Sequence, residues 1–228
     1  MPTNHTGPYE GVIFDLDGTL ADTPGAIVSI TLKVLADMGR EPDRAAVRAT
    51  VGKPLDRNFA QLLDLPADHA EVARAMTEYR RGFGEYLEEQ RERMLYQGVA
   101  DGLAKLSEAG HTLAIATSKT YEAAVRTVRA TGIDQRFKVV AGHDSVSRGK
   151  PAPDMALYVA QELAVPAGAC VVIGDAIGDI EMAGAAGMAA IGVSYGVCTA
   201  EDLTASGALL VADTFDDVVA AVLQGRQP

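Results

Sequence analysis

Two aspartates two positions apart, Asp15 and Asp17, follow the apolar run Val12-Ile13-Phe14 and precede Gly18. If this run is a buried strand, side chains two apart project to the same side, so the carboxylates converge where the chain turns. Neighbouring carboxylates raise each other's pKa unless a cation or hydrogen-bond donors compensate. The pattern therefore favours a nucleophile beside a Mg²⁺ ion. A structural alternative stands beside it, because Asp and Gly are common in turns after strands and in helix caps.

A second acidic pair follows another apolar run. Asp175 closes the segment Cys170-Val171-Val172-Ile173-Gly174, and Asp179 follows four residues later. If a helix begins just after Asp175, a spacing of about one turn lets Asp179 face the same point. Four carboxylates brought together would destabilise a fold without a cation among them. Oxygen ligands with no His or Cys nearby suit Mg²⁺, which also binds substrate phosphates, so the sequence predicts a magnesium site and a phosphorylated substrate.

Two further motifs lie between these pairs: Thr117-Ser118-Lys119 after an apolar run, and Gly149-Lys150-Pro151-Ala152-Pro153-Asp154. Each motif alone is weak evidence, but four in one order at suitable separations are a specific signal. On these four motifs the chain resembles the haloacid dehalogenase (HAD) superfamily over nearly its whole length. It is most similar to the phosphoglycolate phosphatase-like branch, which carries a helical cap.

The resemblance implies roles for the acidic residues. Asp15 would be the nucleophile that attacks phosphorus and forms an aspartyl-phosphate, with a low pKa acceptable at this position. Asp17 would act as general acid and then as general base, so its surroundings should hold a proton more readily than those of Asp15. Mg²⁺ would be bound by the carboxylates of Asp15 and Asp175 and by the backbone carbonyl of Asp17. Asp179 would orient a metal ligand or a water molecule.

The resemblance also implies a phosphate-binding set: Gly18, Thr117, Ser118 and Lys150. The Thr117 hydroxyl and the Ser118 N–H can bind phosphate oxygens at a turn that leads into a helix. Lys150 supplies a positive charge and can restrain Asp15. Thr117 and Lys150 are therefore the catalytic candidates in this set. The alternatives are a helix cap at Thr117-Ser118 and a solvated loop lysine at position 150. We interpret Lys119 as a surface charge.

Residues 22–93 carry helical signals and no strand pattern. Thr23 as N-cap and Pro24 at the first helical position predict the start of the first helix. Further helices are predicted over 47–51, 55–65 and 68–93. The resemblance implies that this insert is a cap domain of residues 22–93 and that residues 1–21 and 94–228 form the catalytic core. We expect the cap to open and close about hinges near 21–24 and 92–98.

The remainder alternates between helices and short apolar runs, which predicts an α/β fold with a doubly wound parallel sheet, the Rossmann-like core of the family. Such sheets bind ligands beyond the carboxyl ends of their strands, where Asp15, Thr117 and Asp175 lie. Helices are predicted over 99–109, 121–130, 154–163, 179–186 and 215–223, and strands over 113–116, 137–141, 171–173, 189–193 and 209–211.

Composition excludes several classes of protein. The net charge of −11 over 228 residues argues against nucleic acid as a partner, and no apolar run approaches the roughly 18–20 residues of a membrane span. Residues 1–10 lack the basic and apolar regions of a secretory signal. Two cysteines do not make a disulfide framework, and Cys170 is expected to be a small buried residue. We predict a cytoplasmic protein without membrane or nucleic-acid partners, a monomer or weak homodimer.

The function predicted is a Mg²⁺-dependent phosphatase for a small phosphorylated metabolite, with phosphoglycolate or a sugar phosphate as leading candidates. Lys53 or Arg57 could contact a second anionic group of the substrate, or both could be solvated charges. Arg80 is expected on a solvated helical face, and His143 could line the site. A phosphomutase of the β-phosphoglucomutase type is the enzymatic alternative, and a non-catalytic phosphate-sensing protein is the alternative from another class. Ala176 stands where many relatives carry Ser or Thr.

Overall fold

The computed structural model describes residues 8–225, apart from the side chain of Glu92. The predicted absence of a secretory signal therefore concerns a segment that lies mostly outside the described residues. Across residues 8–225, no helix is long and apolar enough to cross a bilayer. Cys170 and Cys198 are free thiols and Cys170 is buried, as expected from the sequence.

One parallel sheet forms the centre of the described chain. Its strands are β1 (Gly11–Phe14), β2 (Thr112–Ala116), β3 (Val139–Ala141), β4 (Cys170–Gly174), β5 (Ala189–Val193) and β6 (Leu210–Ala212). The spatial order is β3-β2-β1-β4-β5-β6, and every neighbouring pair is parallel. The order reverses direction at β1, which confirms the predicted doubly wound α/β sheet.

Helices connect the strands and cover both faces of the sheet. They are α1 (Pro24–Asp37), α2 (Arg44–Arg48), α3 (Leu55–Leu63), α4 (Ala70–Gln90), α5 (Val99–Glu108), α6 (Tyr121–Ala130), α7 (Asp154–Leu163), α8 (Ile177–Ala185), α9 (Ala200–Ala205) and α10 (Phe215–Gln224). The sequence predicted these segments with small differences at the ends, apart from two: α9 was not predicted, and α2 begins three residues before the predicted helix 47–51 and also ends three residues before its end. The short helix α9 carries Leu203 as its buried residue, too few apolar positions for a periodic signal.

Strand β1 divides the core into two hydrophobic layers. Val12 and Phe14 pack on one face with residues of α5, α6 and α10, and Ile13 packs on the other face with residues of α7 and α8. This alternation follows from the two-residue period of a strand. All four residues of β1 are buried, because helices cover both faces. The strand is therefore held rigidly just before the acidic pair begins.

The helices α1 to α4 lie between β1 and β2 in the sequence and form a hydrophobic cluster of their own. Its members include Ile27, Leu35, Phe59 and Leu87, while the sheet packs in two other clusters. We refer to these four helices as the helical insert. Its extent is consistent with the predicted cap of residues 22–93, and the boundary itself stays a prediction.

The chain crosses from the sheet to the helical insert and back at two points that pair with each other. Ala21 and Leu95 form an antiparallel bridge, and the N–H of Asp22 donates to the carbonyl of Met94 at 2.6 Å. We call this contact the crossing pair. It lies at the predicted hinges. The two connections between the sheet and the helical insert are therefore hydrogen-bonded to each other.

Candidate active site

The carboxyl ends of three neighbouring strands bring the candidate residues together. Asp15 follows β1, Thr117 follows β2 and Asp175 follows β4, and these strands are adjacent in the order β2-β1-β4. Parallel strands end at the same edge of a sheet, so the residues after them meet there. The N–H of Asp15 donates to the carbonyl of Ile173 at 2.9 Å, which continues the β1–β4 pairing into the site.

Three buried carboxylates form the centre of this site. Ligand oxygens of Asp15, Asp175 and Asp179 all lie within 4.8 Å of one another. Asp179 is placed in the first turn of α8, and its Oδ2 accepts from the N–H of Ala176 at 3.1 Å. The helix therefore begins where the sequence pattern required it, so that Asp179 faces the end of β4.

Lys150 is the cation of the cluster. Its Nζ lies 2.5 Å from Asp15 Oδ1 and 2.5 Å from Asp179 Oδ1, and its side chain is 7% exposed. The contact with Asp179 is an ion pair without hydrogen-bond geometry, so that Asp179 oxygen has no hydrogen-bond donor. Lys150 is therefore a buried residue of the site, and the alternative of a solvated loop lysine is wrong.

Burial and mutual repulsion favour protonation of Asp15 and Asp175. Burial raises the pKa of Asp15 to about 7; Lys150 lowers this pKa, while Asp179 and Asp17 raise it. Burial, then the charges of Asp15 and Asp179, raise the pKa of Asp175 well above its ordinary value. Burial lowers the pKa of Lys150, but the two carboxylates beside it raise it above its ordinary value. The sequence allowed a low pKa at Asp15, whereas burial raises this pKa above its ordinary value.

The carboxylates fit a divalent cation of the magnesium type. Octahedral Mg²⁺ with ligands at about 2.0–2.1 Å places its ligand atoms about 3–4 Å apart, and the carboxylate oxygens here lie within 4.8 Å of one another. Asp15 and Asp179 share Lys150 as their cation, and Asp175 has no lysine partner among the described ion pairs. Three hard carboxylate ligands against one lysine leave negative charge that Mg²⁺ would neutralise.

Two hydrogen bonds and the close approach of Gly18 fix the position of the Asp175 carboxylate. Its Oδ1 accepts from the hydroxyl of Thr19 at 3.0 Å, and its Oδ2 accepts from the N–H of Val197 at 2.9 Å. Gly18 has φ +88°, and a Cβ built there would lie 2.1 Å from Asp175 Oδ2. The N–H of Gly18 donates to the carbonyl of Ala21 at 2.8 Å. Its observed role is therefore close approach to Asp175, and we do not assign phosphate binding to this N–H.

Replacement of Gly18 by Ala is expected to lower phosphatase activity by at least about 100-fold, because the new Cβ must displace the Asp175 carboxylate. The measurement is kcat/KM for p-nitrophenyl phosphate with saturating Mg²⁺. Gly39→Ala is the matched control, since Gly39 also has positive φ, +75°, but a Cβ added there would meet no atom within 4 Å. Equal loss of activity in both variants would contradict the steric explanation.

Asp17 is held by two side chains that the sequence did not identify. Its Oδ1 accepts from the hydroxyl of Thr23 at 2.5 Å, and its Oδ2 lies 3.0 Å from Lys119 Nζ. Thr23 stands at the N-cap of α1 as predicted, but its side chain makes no cap hydrogen bond. The side chain of Lys119 is 12% exposed, and its Nζ lies 4.2 Å from the ring centroid of Phe83 on α4. The interpretation of Lys119 as a surface charge was therefore wrong.

A signal for Lys119 was present in its position. It follows Thr117 by two residues after a buried strand, at the edge of the sheet where the other polar candidates lie. Its partner Asp17 lies on the neighbouring strand end, but its contact with Phe83 depends on how the helical insert packs over the sheet. A single sequence does not contain that packing information.

Replacement of Lys119 by Met is expected to lower kcat by about 10-fold, because Asp17 loses a buried ion pair that fixes its carboxylate. Steady-state kinetics with p-nitrophenyl phosphate would measure this change. Lys105→Met on α5 serves as the control, since Lys105 is exposed and lies outside the site. The assignment fails if Lys119→Met retains the kcat of the wild-type enzyme.

Thr117 and Ser118 lie at the end of β2 beside Asp15. Thr117 is 1% exposed, and its Oγ1 accepts from the N–H of Lys119 at 3.3 Å. The hydroxyl proton of Thr117 can still be donated to a phosphate oxygen. The N-cap of α6 is Thr120, whose hydroxyl accepts from the N–H of Ala123. The alternative of a cap at Thr117-Ser118 is therefore wrong.

A cavity of about 340 Å³ lies between the helical insert and the sheet and reaches Asp17. Lys53, Arg80 and His143 line it, whereas Arg57 is exposed and lies outside its lining. The sequence left open whether His143 lines the site or is incidental; it lines this cavity, and a functional role for it stays a prediction. Arg80 is exposed as expected, but it belongs to the cavity and not to a wholly solvated face.

The sequence was compared with models of known protein families. Residues 12–193 match the model of the haloacid dehalogenase-like hydrolases, a span that contains all four motifs. The chain belongs to this family. The match extends through β1 to β5 and includes the helical insert, so membership rests on most of the chain and not on an isolated motif.

Two curated relatives of this HAD hydrolase are described as a probable phosphatase and a phosphoglycolate phosphatase. A protein described as a probable phosphatase, IndB, from Dickeya dadantii is 42% identical over 211 residues, 92% of each chain. A phosphoglycolate phosphatase from Colwellia psychrerythraea is 30% identical over 217 residues, 92% of this chain and 95% of the relative. With the family match, these relatives make the chain a hydrolase of phosphoric monoester bonds.

Among solved structures, a crystal structure described as a predicted phosphatase from Clostridium acetobutylicum has a similar fold. Its TM-score is 0.80 at 26% identity, and the match covers 96% of this chain and all of the other. In the HAD hydrolase described here, Ala176 directly follows Asp175 and has no hydroxyl to offer beside the carboxylate cluster. Its N–H nevertheless donates to Asp179, so the turn keeps its backbone contact.

Proposed function

We propose that this HAD hydrolase is a Mg²⁺-dependent phosphatase that hydrolyses a small phosphomonoester through an aspartyl-phosphate on Asp15. The observation that carries the proposal is the cluster of Asp15, Asp175 and Asp179 at the edge of the sheet beside Thr117, with Lys150 in contact with Asp15 and Asp179. Asp15 and Asp175 would bind Mg²⁺ through their carboxylates, and Asp17 through its backbone carbonyl. Asp179 would bind the ion or orient its ligands.

In the first half-reaction, Asp15 attacks phosphorus. Lys150 contacts Asp15 Oδ1 and leaves Oδ2 as the attacking atom. The O–P bond to Asp15 forms as the bond to the leaving-group oxygen breaks, and Asp17 donates a proton to that oxygen. Thr117, Ser118 and Lys150 would stabilise the charge on the phosphate oxygens that do not react. A bound Mg²⁺ would partly neutralise the negative charges of the Asp15 carboxylate and the substrate phosphate, which must approach each other.

In the second half-reaction, water replaces the leaving group. Asp17 accepts a proton from the water, whose oxygen attacks the phosphorus of the aspartyl-phosphate. The bond between phosphorus and Asp15 breaks, and inorganic phosphate leaves with Asp15 restored. Thr23 and Lys119 hold the Asp17 carboxylate over the same position in both steps, so one side chain can serve as acid and base.

Phosphoglycolate and sugar phosphates are the substrate candidates. The curated relative from Colwellia psychrerythraea is a phosphoglycolate phosphatase, which supports the first. The cavity between the helical insert and the sheet is large enough for the second, since small-molecule pockets have volumes of about 300–1,000 Å³.

Release of phosphate from p-nitrophenyl phosphate would test the proposal. We expect sustained turnover with Mg²⁺, loss of activity with EDTA and its return when Mg²⁺ is added in excess. Sustained phosphate release also separates a phosphatase from a phosphomutase, which retains its phosphoryl group, and from a non-catalytic phosphate sensor. Activity that persists unchanged in EDTA would refute the metal-dependent mechanism.

A further inference from the structure

A loop that follows β5 holds Asp175 through its main chain. We call residues 194–198, between β5 and α9, the β5–α9 loop. The N–H of Val197 donates to Asp175 Oδ2 at 2.9 Å, and the N–H of Cys198 donates to the backbone carbonyl of Asp175 at 3.1 Å. Strands β4 and β5 are neighbours in the sheet, so this loop lies beside the end of β4. It therefore fixes both the main chain and the side chain of Asp175.

Gly196 lets this loop approach the carboxylate closely. A Cβ built at Gly196 would lie 2.3 Å from Asp175 Cβ and 2.4 Å from Asp175 Oδ2, so one of the two residues would have to move. Gly196 does not have a positive φ, so its backbone conformation does not require glycine. What requires glycine here is the close approach to Asp175.

Tyr195 reaches the other carboxylate oxygen of Asp175 through Thr19. The hydroxyl of Tyr195 donates to the carbonyl of Thr19 at 3.0 Å, and the hydroxyl of Thr19 donates to Asp175 Oδ1 at 3.0 Å. Thr19 is fully buried, so water cannot replace these bonds. With Val197 on Oδ2, each oxygen of the Asp175 carboxylate accepts one hydrogen bond and keeps a lone pair for a cation.

The ring of Tyr195 is itself fixed. Its centroid lies 4.6 Å from that of Tyr96, at an interplanar angle of 54°. The hydroxyl of Tyr96 donates to the carbonyl of Tyr195 at 3.4 Å, and the N–H of Tyr96 donates to the carbonyl of Leu20 at 3.1 Å. Neither tyrosine is among the described residues that line the cavity between the helical insert and the sheet. Their contacts therefore reach the site through Thr19 and Asp175 and not through the cavity.

We propose that Tyr195 and Gly196 are positioning residues that set the affinity of Asp175 for Mg²⁺. This inference rests on the proposed function, in which Asp175 is a Mg²⁺ ligand. Tyr195 acts on Asp175 Oδ1 through Thr19, and Gly196 acts by leaving room for the carboxylate. Neither residue would touch the ion or the substrate. Loss of the contacts that orient a metal ligand typically lowers metal affinity by about 10- to 100-fold.

Tyr195→Phe removes the hydroxyl and keeps the ring. The melting temperature is measured without substrate at increasing Mg²⁺ and constant ionic strength, and its rise gives the Kd for Mg²⁺. We expect Tyr195→Phe to raise this Kd by about 10-fold, because Thr19 loses the contact that holds it beside Asp175. The matched control is Tyr158→Phe, since Tyr158 is also partly buried but packs on the other face of the sheet. The control should change the Kd by less than about 2-fold.

Kinetics with p-nitrophenyl phosphate supply a second readout. At saturating Mg²⁺, the KM of Tyr195→Phe should stay within about 2-fold of the wild-type value, because Tyr195 does not line the cavity. The Mg²⁺ concentration that gives half-maximal activity should rise in parallel with the Kd. A residue with a merely structural role would instead lower the melting temperature in EDTA and leave the Kd for Mg²⁺ unchanged.

Gly196→Ala tests the close approach of the β5–α9 loop. The added methyl group must displace the Asp175 carboxylate, so the Kd for Mg²⁺ should rise by at least about 100-fold. Gly184→Ala on α8 is the control, since Gly184 also lacks a positive φ and a Cβ added there would meet no atom within 4 Å. If Gly196→Ala does not fold, Tyr195→Phe still decides the proposal, because Phe keeps the ring beside Tyr96.

The result does not depend on whether the protein hydrolyses phosphomonoesters, because the Kd for Mg²⁺ is measured without substrate. A raised Kd in Tyr195→Phe with an unaltered control supports the proposal even if no phosphate is released. An unchanged Kd in this variant overturns the proposal and leaves the phosphatase function intact. A wild-type melting temperature that does not respond to Mg²⁺ would overturn both this inference and the metal site.

Discussion

Replacement of Asp15 by Asn is expected to lower kcat for p-nitrophenyl phosphate by at least about 10³-fold, because the amide cannot form the aspartyl-phosphate. Asn keeps the size of the side chain and can still accept a hydrogen bond from Lys150. The loss should therefore reflect missing nucleophilic chemistry more than a collapsed site. The measurement is initial-rate kinetics with saturating Mg²⁺. Wild-type activity in this variant would exclude Asp15 as the nucleophile.

The same variant should become more stable than the wild-type protein when metal is removed. The pKa of Asp15 is raised from its ordinary value of 3.8 to about 7, chiefly by burial, so its contribution favours folding below pH 3.8 and is lost as pH rises to about 7. In EDTA, the melting temperature of Asp15→Asn minus that of the wild type should therefore increase between about pH 4 and pH 7 and then level off. Thermal unfolding across this range provides the check, and a constant difference would contradict it.

Replacement of Lys150 by Met is expected to destabilise the metal-free protein by about 3–5 kcal/mol, because two buried carboxylates lose their shared cation. Its side chain is 7% exposed, so water cannot take over this role. Activity should fall by at least about 100-fold, since Lys150 also contacts Asp15, the proposed nucleophile. Differential scanning calorimetry in EDTA and initial-rate kinetics in Mg²⁺ measure the two effects.

Two further variants show whether the effect belongs to this buried cation. Lys150→Arg keeps the charge, and it should recover part of the stability but little activity, because a planar guanidinium cannot reproduce the contacts of an ammonium group. Arg148→Met breaks the exposed ion pair with Asp154 and should leave both properties nearly unchanged. Unaltered stability of Lys150→Met in EDTA would show that the carboxylates do not need this lysine.

The sequence alone was sufficient to predict the bounds of helices and strands where the spacing of apolar residues agrees with the residues that begin and end an element. The helices α6 and α7 and the strand β5 begin and end where predicted, because apolar spacing, caps and breakers agree there. The meeting of Asp15, Thr117 and Asp175 also followed from the sequence, since the carboxyl ends of parallel strands share one edge. What one chain alone did not reveal is which side chains hold Asp17. Thr23 was expected to cap its own helix, yet its hydroxyl donates to Asp17.

The crossing pair bears on how readily the helical insert can be removed or replaced. Ala21 and Leu95 form a single antiparallel bridge, so the entry and exit of the helical insert are neighbours in space. Bridged antiparallel residues can be joined by a tight turn of about two residues. Such a turn could thus replace the helical insert, or a different domain could be inserted between Ala21 and Leu95, without altering any strand. The helical insert is in this respect a replaceable module, and the sheet is the scaffold that carries it.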